Sequence, residues 1–253
     1  MSSLEVELRC ASLGDCTVLE LSGHEAMDSL SSWRARVRVA EHIDASAALR
    51  ADAVLALLDP LEGTERWIRL LVTEIAGEID RGRDRVLELH LTDPPWLLLR
   101  RGGYRIFQEK TTEQIVGEVL KGAGIPAAAL VPRLSDSYPV RLQCVQYAES
   151  EWAFLERLLA DDGISYWFDT TAGGEHRIFL GDSAGAHDGI DGGATLPHVG
   201  PTGAMRAGKR GFSSLEWEER VVTDRVQIRD FDVRHPDVYI EGESGTGSLG
   251  YFE

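Results

Sequence analysis

Residues 147–168 read Y-A-E-S-E-W-A-F-L-E-R-L-L-A-D-D-G-I-S-Y-W-F, from Tyr147 to Phe168. Ser150 suits an N-cap, because its hydroxyl can accept from the free amides of a first helical turn. Glu149 and Glu151 add negative charge at the positive end of the helix dipole. Trp152, Leu155, Leu158 and Leu159 recur at steps of three and four and make one apolar stripe, with Glu156 and Arg157 on the polar side. Gly163 supplies the left-handed residue that ends a helix. Beyond it Ile164, Tyr166 and Phe168 alternate with Ser165 and Trp167, the period of a strand. The stretch predicts a helix, a stop and a strand, packed and without chemistry of its own.

Working outward, Thr111 and Gln114 match a capping box, and Ile115, Val116, Val119 and Leu120 form a stripe that Gly122, Gly124 and Pro126 close. Arg177 to Leu180 is expected to return as the hairpin partner of the Ile164 strand. From Leu4 to His90 the pattern has period two: Trp33, Ala35, Val37 and Val39 alternate with Arg34, Arg36 and Arg38. Trp67 to Ile79 and Arg85 to Leu91 bracket Asp80-Arg81-Gly82-Arg83-Asp84, a hairpin turn, with Leu87, Leu89 and Leu91 facing inward. Ser46 to Leu58 reads as a short turn and then a strand. Asp93-Pro94-Pro95 ends this block, since proline lacks an amide donor and restricts its predecessor. The division expected is 1–95 for a β-barrel-like domain, 96–185 for an α/β region with two helices, 186–211 for a glycine-rich loop, and 212–253 for further strands, resuming at Leu215 to Asp232.

The 253 residues are 43% apolar, enough for real cores. No apolar run approaches the roughly 18 residues of a membrane span, and the N-terminus is acidic and alternating, so neither a signal peptide nor an anchor is expected. Cys10, Cys16 and Cys144 lack CxxC spacing and cannot all pair within one chain, which favours buried thiols in a reducing compartment. The net charge of −16 repels nucleic acid and anionic membranes, and it reads first as a solubility feature.

Three motifs point towards chemistry. Gly181-Asp182-Ser183-Ala184-Gly185 fits G-x-S-x-G and follows a strand, with Asp191 and His235 as conceivable partners of a serine hydrolase using Ser183. A nucleophile elbow must also open a helix in a parallel sheet, whereas Ala186 to Gly193 carries three glycines and no stripe. Gly245 to Gly250 fits G-x-G-x-x-G, but only Tyr251, Phe252 and Glu253 follow it here, too few for the helix that pyrophosphate binding requires. The seven histidines, His24, His42, His90, His176, His187, His198 and His235, include no helical ligand pair, and Asp182, Asp188 and Asp191 lack EF-hand spacing. No catalytic residue, cofactor or metal is assigned.

Three segments in order carry a family resemblance. Arg105-Ile106-Phe107-Gln108-Glu109-Lys110-Thr111-Thr112-Glu113-Gln114-Ile115-Val116 resembles an R-x-F-Q-x-K-T-x-x-x-I segment of the VgrG family of type VI secretion spike proteins, related to phage tail hubs of the gpD type. Cys144 to Ser150 resembles the family's C-x-Q-Y-x-E-S-D lead into the helix quoted above. Arg225 to Asp232, followed by His235-Pro236, is similar to its strand ending in D-Y-D-x-x-x-P. The resemblance implies a β-rich α+β fold of the gp27-like kind: two antiparallel β-barrel-like tube domains with an inserted α/β region, braced by Trp152, Leu155, Leu158 and Leu159. It further implies a non-enzymatic homotrimer forming a pseudo-sixfold ring. That ring would join the hexameric Hcp tube to the spike, with baseplate proteins, a PAAR tip and effectors as further partners. Assembly would take place in the bacterial cytoplasm, followed by ejection. A phage or prophage tail baseplate hub is the alternative. Family members usually continue into an OB-fold and β-helix spike, and the sequence stops where that continuation would begin.

Overall fold

The computed structural model describes residues 5–40, 44–59, 64–79, 84–171, 174–189, 195, 198, 214–219 and 223–245. They fall in two units, Met1–Thr195 and Leu196–Glu253.

The first unit opens with six antiparallel strands: β1 (Glu5–Arg9), β2 (Thr17–His24), β3 (Ser32–Ala40), β4 (Asp52–Asp59), β5 (Thr64–Ile79) and β6 (Asp84–Thr92). Their order is β1-β4-β5-β6-β3-β2. The two edges, β1 and β2, touch, and a Cys10–Gly14 bridge lies in the turn between them, so the sheet curls into a nearly closed barrel. Register shifts at Val18/Glu20 and Val72/Glu74 supply bulges, which sharpen the bend of long strands. The alternation on β3 works as the sequence predicts: Trp33, Ala35, Val37 and Val39 are buried, with Leu55, Leu70, Leu87, Leu89 and Leu91 in the same core. Arg34, Arg36 and Arg38 face outward, and Arg36 pairs with Glu20 on the adjacent strand at 3.2 Å. Gly23 lies opposite Trp33, and a Cβ there would fall inside the indole ring, so the strand admits no larger residue without moving the tryptophan. The expected turn before β4 is a 3-10 turn at Ala45–Ala48; most of the turn between β5 and β6 lies outside the described residues.

After β6, Asp93 stands at the N-cap position of a 3-10 segment at Pro94–Arg100, its carboxylate turned to Ser31 N and not to the segment's own amides. The remainder of this unit comprises β7 (Gly102–Lys110), α1 (Thr112–Gly122), β8 (Leu130–Arg133), β9 (Arg141–Ser150), α2 (Glu151–Asp161), β10 (Ser165–Thr170) and β11 (His176–Gly181). The capping box at Thr111 and Gln114 is formed, Ser150 Oγ accepts from Ala153 N, and Gly163 has φ +69°. β10 and β11 are the expected antiparallel pair, and β8 adds to β11 in parallel. β7 and β9 make a separate antiparallel ribbon. A second core joins Phe107, Ile115, Val116, Leu120, Trp152, Phe154, Leu155, Leu158, Tyr166 and Leu180. Phe154 is fully buried although it lies outside the stripe read from the sequence: α2 is covered on a wider arc than one stripe, and the Phe154 ring stacks on Phe107 at 5.5 Å.

Directional bonds tie the barrel to this second layer. Tyr166 N donates to Asp28 Oδ1 (2.8 Å), Asp28 N to Tyr166 O (3.0 Å) and Arg69 N to Thr170 Oγ1 (2.9 Å), while Ser31 N to Asp93 Oδ2 (2.7 Å) ties the start of β3 to the end of β6.

In the second unit, β12 (Arg225–Asp230) pairs antiparallel with β13 (Ile240–Gly245). Strands do not resume at Leu215: residues 214–219 have no regular structure, because their alternation finds no partner strand among the described residues. Of the loop expected at 186–211, the described part includes the end of a 3-10 turn, Ala184–Ala186, whose Ala186 is buried; most of the rest lies outside the described residues.

Candidate functional site

Ser183 is the residue with the most suggestive motif, and its surroundings are those of a structural pin. Its backbone is extended (φ −153°, ψ 160°), without the strained turn of a nucleophile elbow, and a three-residue 3-10 turn follows in place of a helix. Its Oγ lies 3.2 Å from Ser135 Oγ. Neighbouring Asp182 collects Ser135 N and Asp136 N (both 2.9 Å), Ser135 Oγ (2.7 Å) and Tyr138 OH (3.0 Å). The Asp136 amide, with the Ser135 donors, holds the Asp182 carboxyl well below its usual range. Burial, and then the bond to Asp182, pushes the Tyr138 phenol up to about 12. Asp191 lies outside the described residues, and His235, in the second unit, engages Asp232 Oδ2 at 3.0 Å. Asp188 is paired with Arg133 at 2.7 Å. Among the described residues no group of His, Cys, Asp and Glu is arranged to hold a metal ion. Gly245 ends β13 with φ +113°, and the rest of its glycine motif lies outside the described residues.

The signature stretch holds a polar centre that the sequence reading placed as a simple dipole charge. Glu151 is 2% exposed, and its carboxylate meets Arg101 Nε at 2.8 Å and the Arg105 guanidinium. Its amide also donates to Arg101 O at 2.7 Å. The R-x-F segment and the helix start are therefore locked together through charge. The only sequence signal was the spacing of arginines and glutamate across two segments that are remote in the chain. Beside it, Trp152 meets Tyr166 edge to face at 5.3 Å, and Tyr166 OH donates to Glu156 at 2.8 Å. Burial, followed by that bond, raises the Tyr166 phenol above its ordinary value.

The ribbon above this centre has two unlike faces. Phe107, Cys144 and Gln146 are buried, whereas Tyr104, Ile106, Val145 and Tyr147 are 71%, 63%, 38% and 74% exposed. Tyr104 pairs with Tyr147 and Ile106 with Val145 across the strands, so the four side chains form one outward apolar patch. Contiguous exposed apolar side chains are a feature of interaction surfaces.

A nearly closed barrel joined to a braced α/β layer, with an outward apolar ribbon, is the β-rich architecture of the tail-hub class. The chain belongs to the phage tail baseplate hub (GPD) family, whose model matches residues 24–250. Among curated relatives in Pseudomonas aeruginosa, the type VI secretion system spike protein VgrG4b is 32% identical over 242 residues, covering 90% of this chain and 27% of the relative. VgrG1c is 27% identical over 232 residues, covering 90% of this chain and 31% of the relative. The chain thus spans less than a third of either one. Its fold is similar to that of the E. coli c3393 protein, described as a type VI secretion component with structural similarity to T4 tail proteins gp27 and gp5. That likeness has a TM-score of 0.67 at 24% identity, over 72% of this chain and 50% of the other. A tail protein from Neisseria meningitidis aligns over 97% of this chain and 68% of its own, with a TM-score of 0.57 and 12% identity. The chain is a VgrG and phage tail hub homologue with a β-rich, gp27-like fold. No helix among the described residues is long and apolar enough to cross a membrane.

Proposed function

We propose that this chain is the hub portion of a contractile injection machine of the type VI kind, a non-enzymatic part whose work is assembly. Residues 1–95 form the first tube domain, 96–185 the inserted region, and β12 with β13 begin the second. Three copies make a pseudo-sixfold ring, since two similar domains per chain give six similar docking surfaces for a hexameric Hcp tube. The ring joins that tube to a spike, supports effector delivery with the baseplate and a PAAR tip, is built in the cytoplasm and then leaves the cell. The observation that carries this reading is the nearly closed barrel of β1 to β6 within a chain matched by the hub family over residues 24–250.

Light scattering on the purified chain, with and without Hcp, tests it. The expected result is a mass near three times 27.9 kDa and co-elution with Hcp. A monomer without affinity for Hcp overturns the ring. A phage or prophage tail hub is the second reading, favoured by the tail protein that aligns over 97% of the chain. Neighbouring genes for capsid and terminase, in place of Hcp and a sheath, would select it.

A further inference from the structure

A cavity of about 430 Å³ opens in the first unit where the barrel, the 3-10 segment after β6, the turn after α1 and the start of β11 converge. That size is within the range of about 300 to 1,000 Å³ usual for ligand pockets. Leu71, Leu97, Leu98 and Ile125 give it apolar walls. Its polar lining has three guanidinium groups, Arg50, Arg69 and Arg177, against two carboxylates, Asp52 and Glu175, with His176 beside them. Arg69 is committed to Asp52 at 2.8 Å, and His176 Nε2 lies 3.4 Å from Asp93 Oδ1. Arg177 and Glu175 are 4.0 Å apart, a loose pair that leaves both able to bond elsewhere. Arg50 is left as the surplus cation, with no carboxylate partner among the described residues.

Arg50 is also the residue whose backbone is most constrained here. Its φ is +65°, a left-handed value that side chains other than glycine rarely adopt, and Arg50 N is clamped to Val72 O at 2.8 Å. The chain thus holds an arginine at a position that glycine would occupy with less strain, with its side chain lining the cavity. On a chain of net charge −16, this local surplus of positive charge favours an anion that the rest of the surface repels.

We infer that this cavity binds the apolar C-terminal end of a peptide, with the terminal carboxylate on Arg50, the last side chains against the leucine and isoleucine walls, and a peptide N–H on Glu175. The mixed rim decides between carboxylate ligands. A fatty acid offers no donor to Glu175, whereas a peptide end offers both a carboxylate and amides.

Titration calorimetry and methyl NMR on the full chain test this with the probe acetyl-Gly-Gly-Leu-Phe bearing a free carboxylate. Saturable binding that shifts the Leu71, Leu98 and Ile125 methyl signals is expected, with affinity at least tenfold weaker for the C-terminal amide and for octanoate. Arg50→Gly removes the guanidinium while suiting the positive φ, so it keeps the fold and should lose binding at least tenfold; Arg50→Lys should retain part of it. Equal affinity for acid and amide, unchanged binding in Arg50→Gly, octanoate binding as well as the peptide, or no methyl shifts would each overturn the assignment.

Discussion

The barrel and the β7–β9 ribbon obey the same two-residue alternation and finish it in opposite ways. On β3 the inward positions Trp33, Ala35, Val37 and Val39 are buried and the outward ones are arginines, one of them paired with Glu20. On the ribbon, Phe107 and Cys144 are buried, yet the outward positions are Tyr104, Ile106, Val145 and Tyr147. A face of charged side chains is complete in water; a face of aromatic and branched side chains is not. The difference separates a face that is complete in water from one that leaves apolar side chains exposed, within one unit of one chain.

Truncation offers the most forceful way to break that comparison. Trp152→Ala, in the core that also holds the ribbon's Phe107, should cost about 3 to 5 kcal/mol, and Leu89→Ala in the barrel about 2 to 5 kcal/mol, since each removes buried volume. Ile106→Ala, on the outward patch, should stay within about 0.5 kcal/mol. Denaturant midpoints at constant m-value read all three. A loss at Ile106 as large as at Leu89 would mean that the patch is already covered by this chain or its copies.

Charge gives the next largest effect. Glu151 is enclosed while Arg101 and Arg105 keep 43% and 35% of their side chains exposed, so the two ends of the pair differ in what their loss leaves behind. Removing both arginines strands a buried carboxylate and should cost about 3 kcal/mol or more; Glu151→Gln frees arginines that can turn to water and should cost less. Equal losses would show that the packing of the arginine stems matters more than the charge.

These residues also show how far the sequence could be read. The caps, the Gly163 stop, the β3 alternation and the β10–β11 hairpin depend on neighbours within a few positions, and all were legible. Glu151 was not, because its environment is made by Arg101 and Arg105, some fifty residues away in sequence, brought close by the β7–β9 pairing. Phe154 escaped for a related reason: a stripe counts one face of a helix, while α2 is enclosed on a wider arc. Leu215 to Glu219 alternates as a strand should, but it finds no partner strand among the described residues and makes no ladder with them. The cavity at Arg50 gathers residues from five separate segments, and no local pattern announces it.

A close approach in the barrel supplies a smaller test. Gly23→Ala places a methyl group where the Trp33 ring lies, and the resulting shift should cost about 1 to 3 kcal/mol, with a changed Trp33 fluorescence maximum. The matching change at Gly103, where a Cβ meets open space on the ribbon, should be close to neutral. A neutral Gly23→Ala would mean that β2 yields at its edge more easily than its pairing suggests.

The smallest effect concerns the lead into the ribbon, and it appears as a pH dependence. Residues 135–138 precede β9 and are held by the four donors gathered on Asp182. Because those donors favour the ionised carboxylate, its pKa in the fold lies below the value of about 4 expected in the unfolded chain. The stabilisation is therefore fully present above about pH 4 and is lost as pH falls through that value towards the lower folded pKa. Asp182→Asn keeps the shape and removes the titrating group, so its denaturant midpoint should fall less steeply than wild type between about pH 5 and pH 2. The other depressed carboxylates, Glu149, Asp232 and Glu243 among them, are common to both proteins and cancel in the difference. Identical slopes would assign the acid sensitivity to those groups and leave Asp182 a neutral partner of the loop.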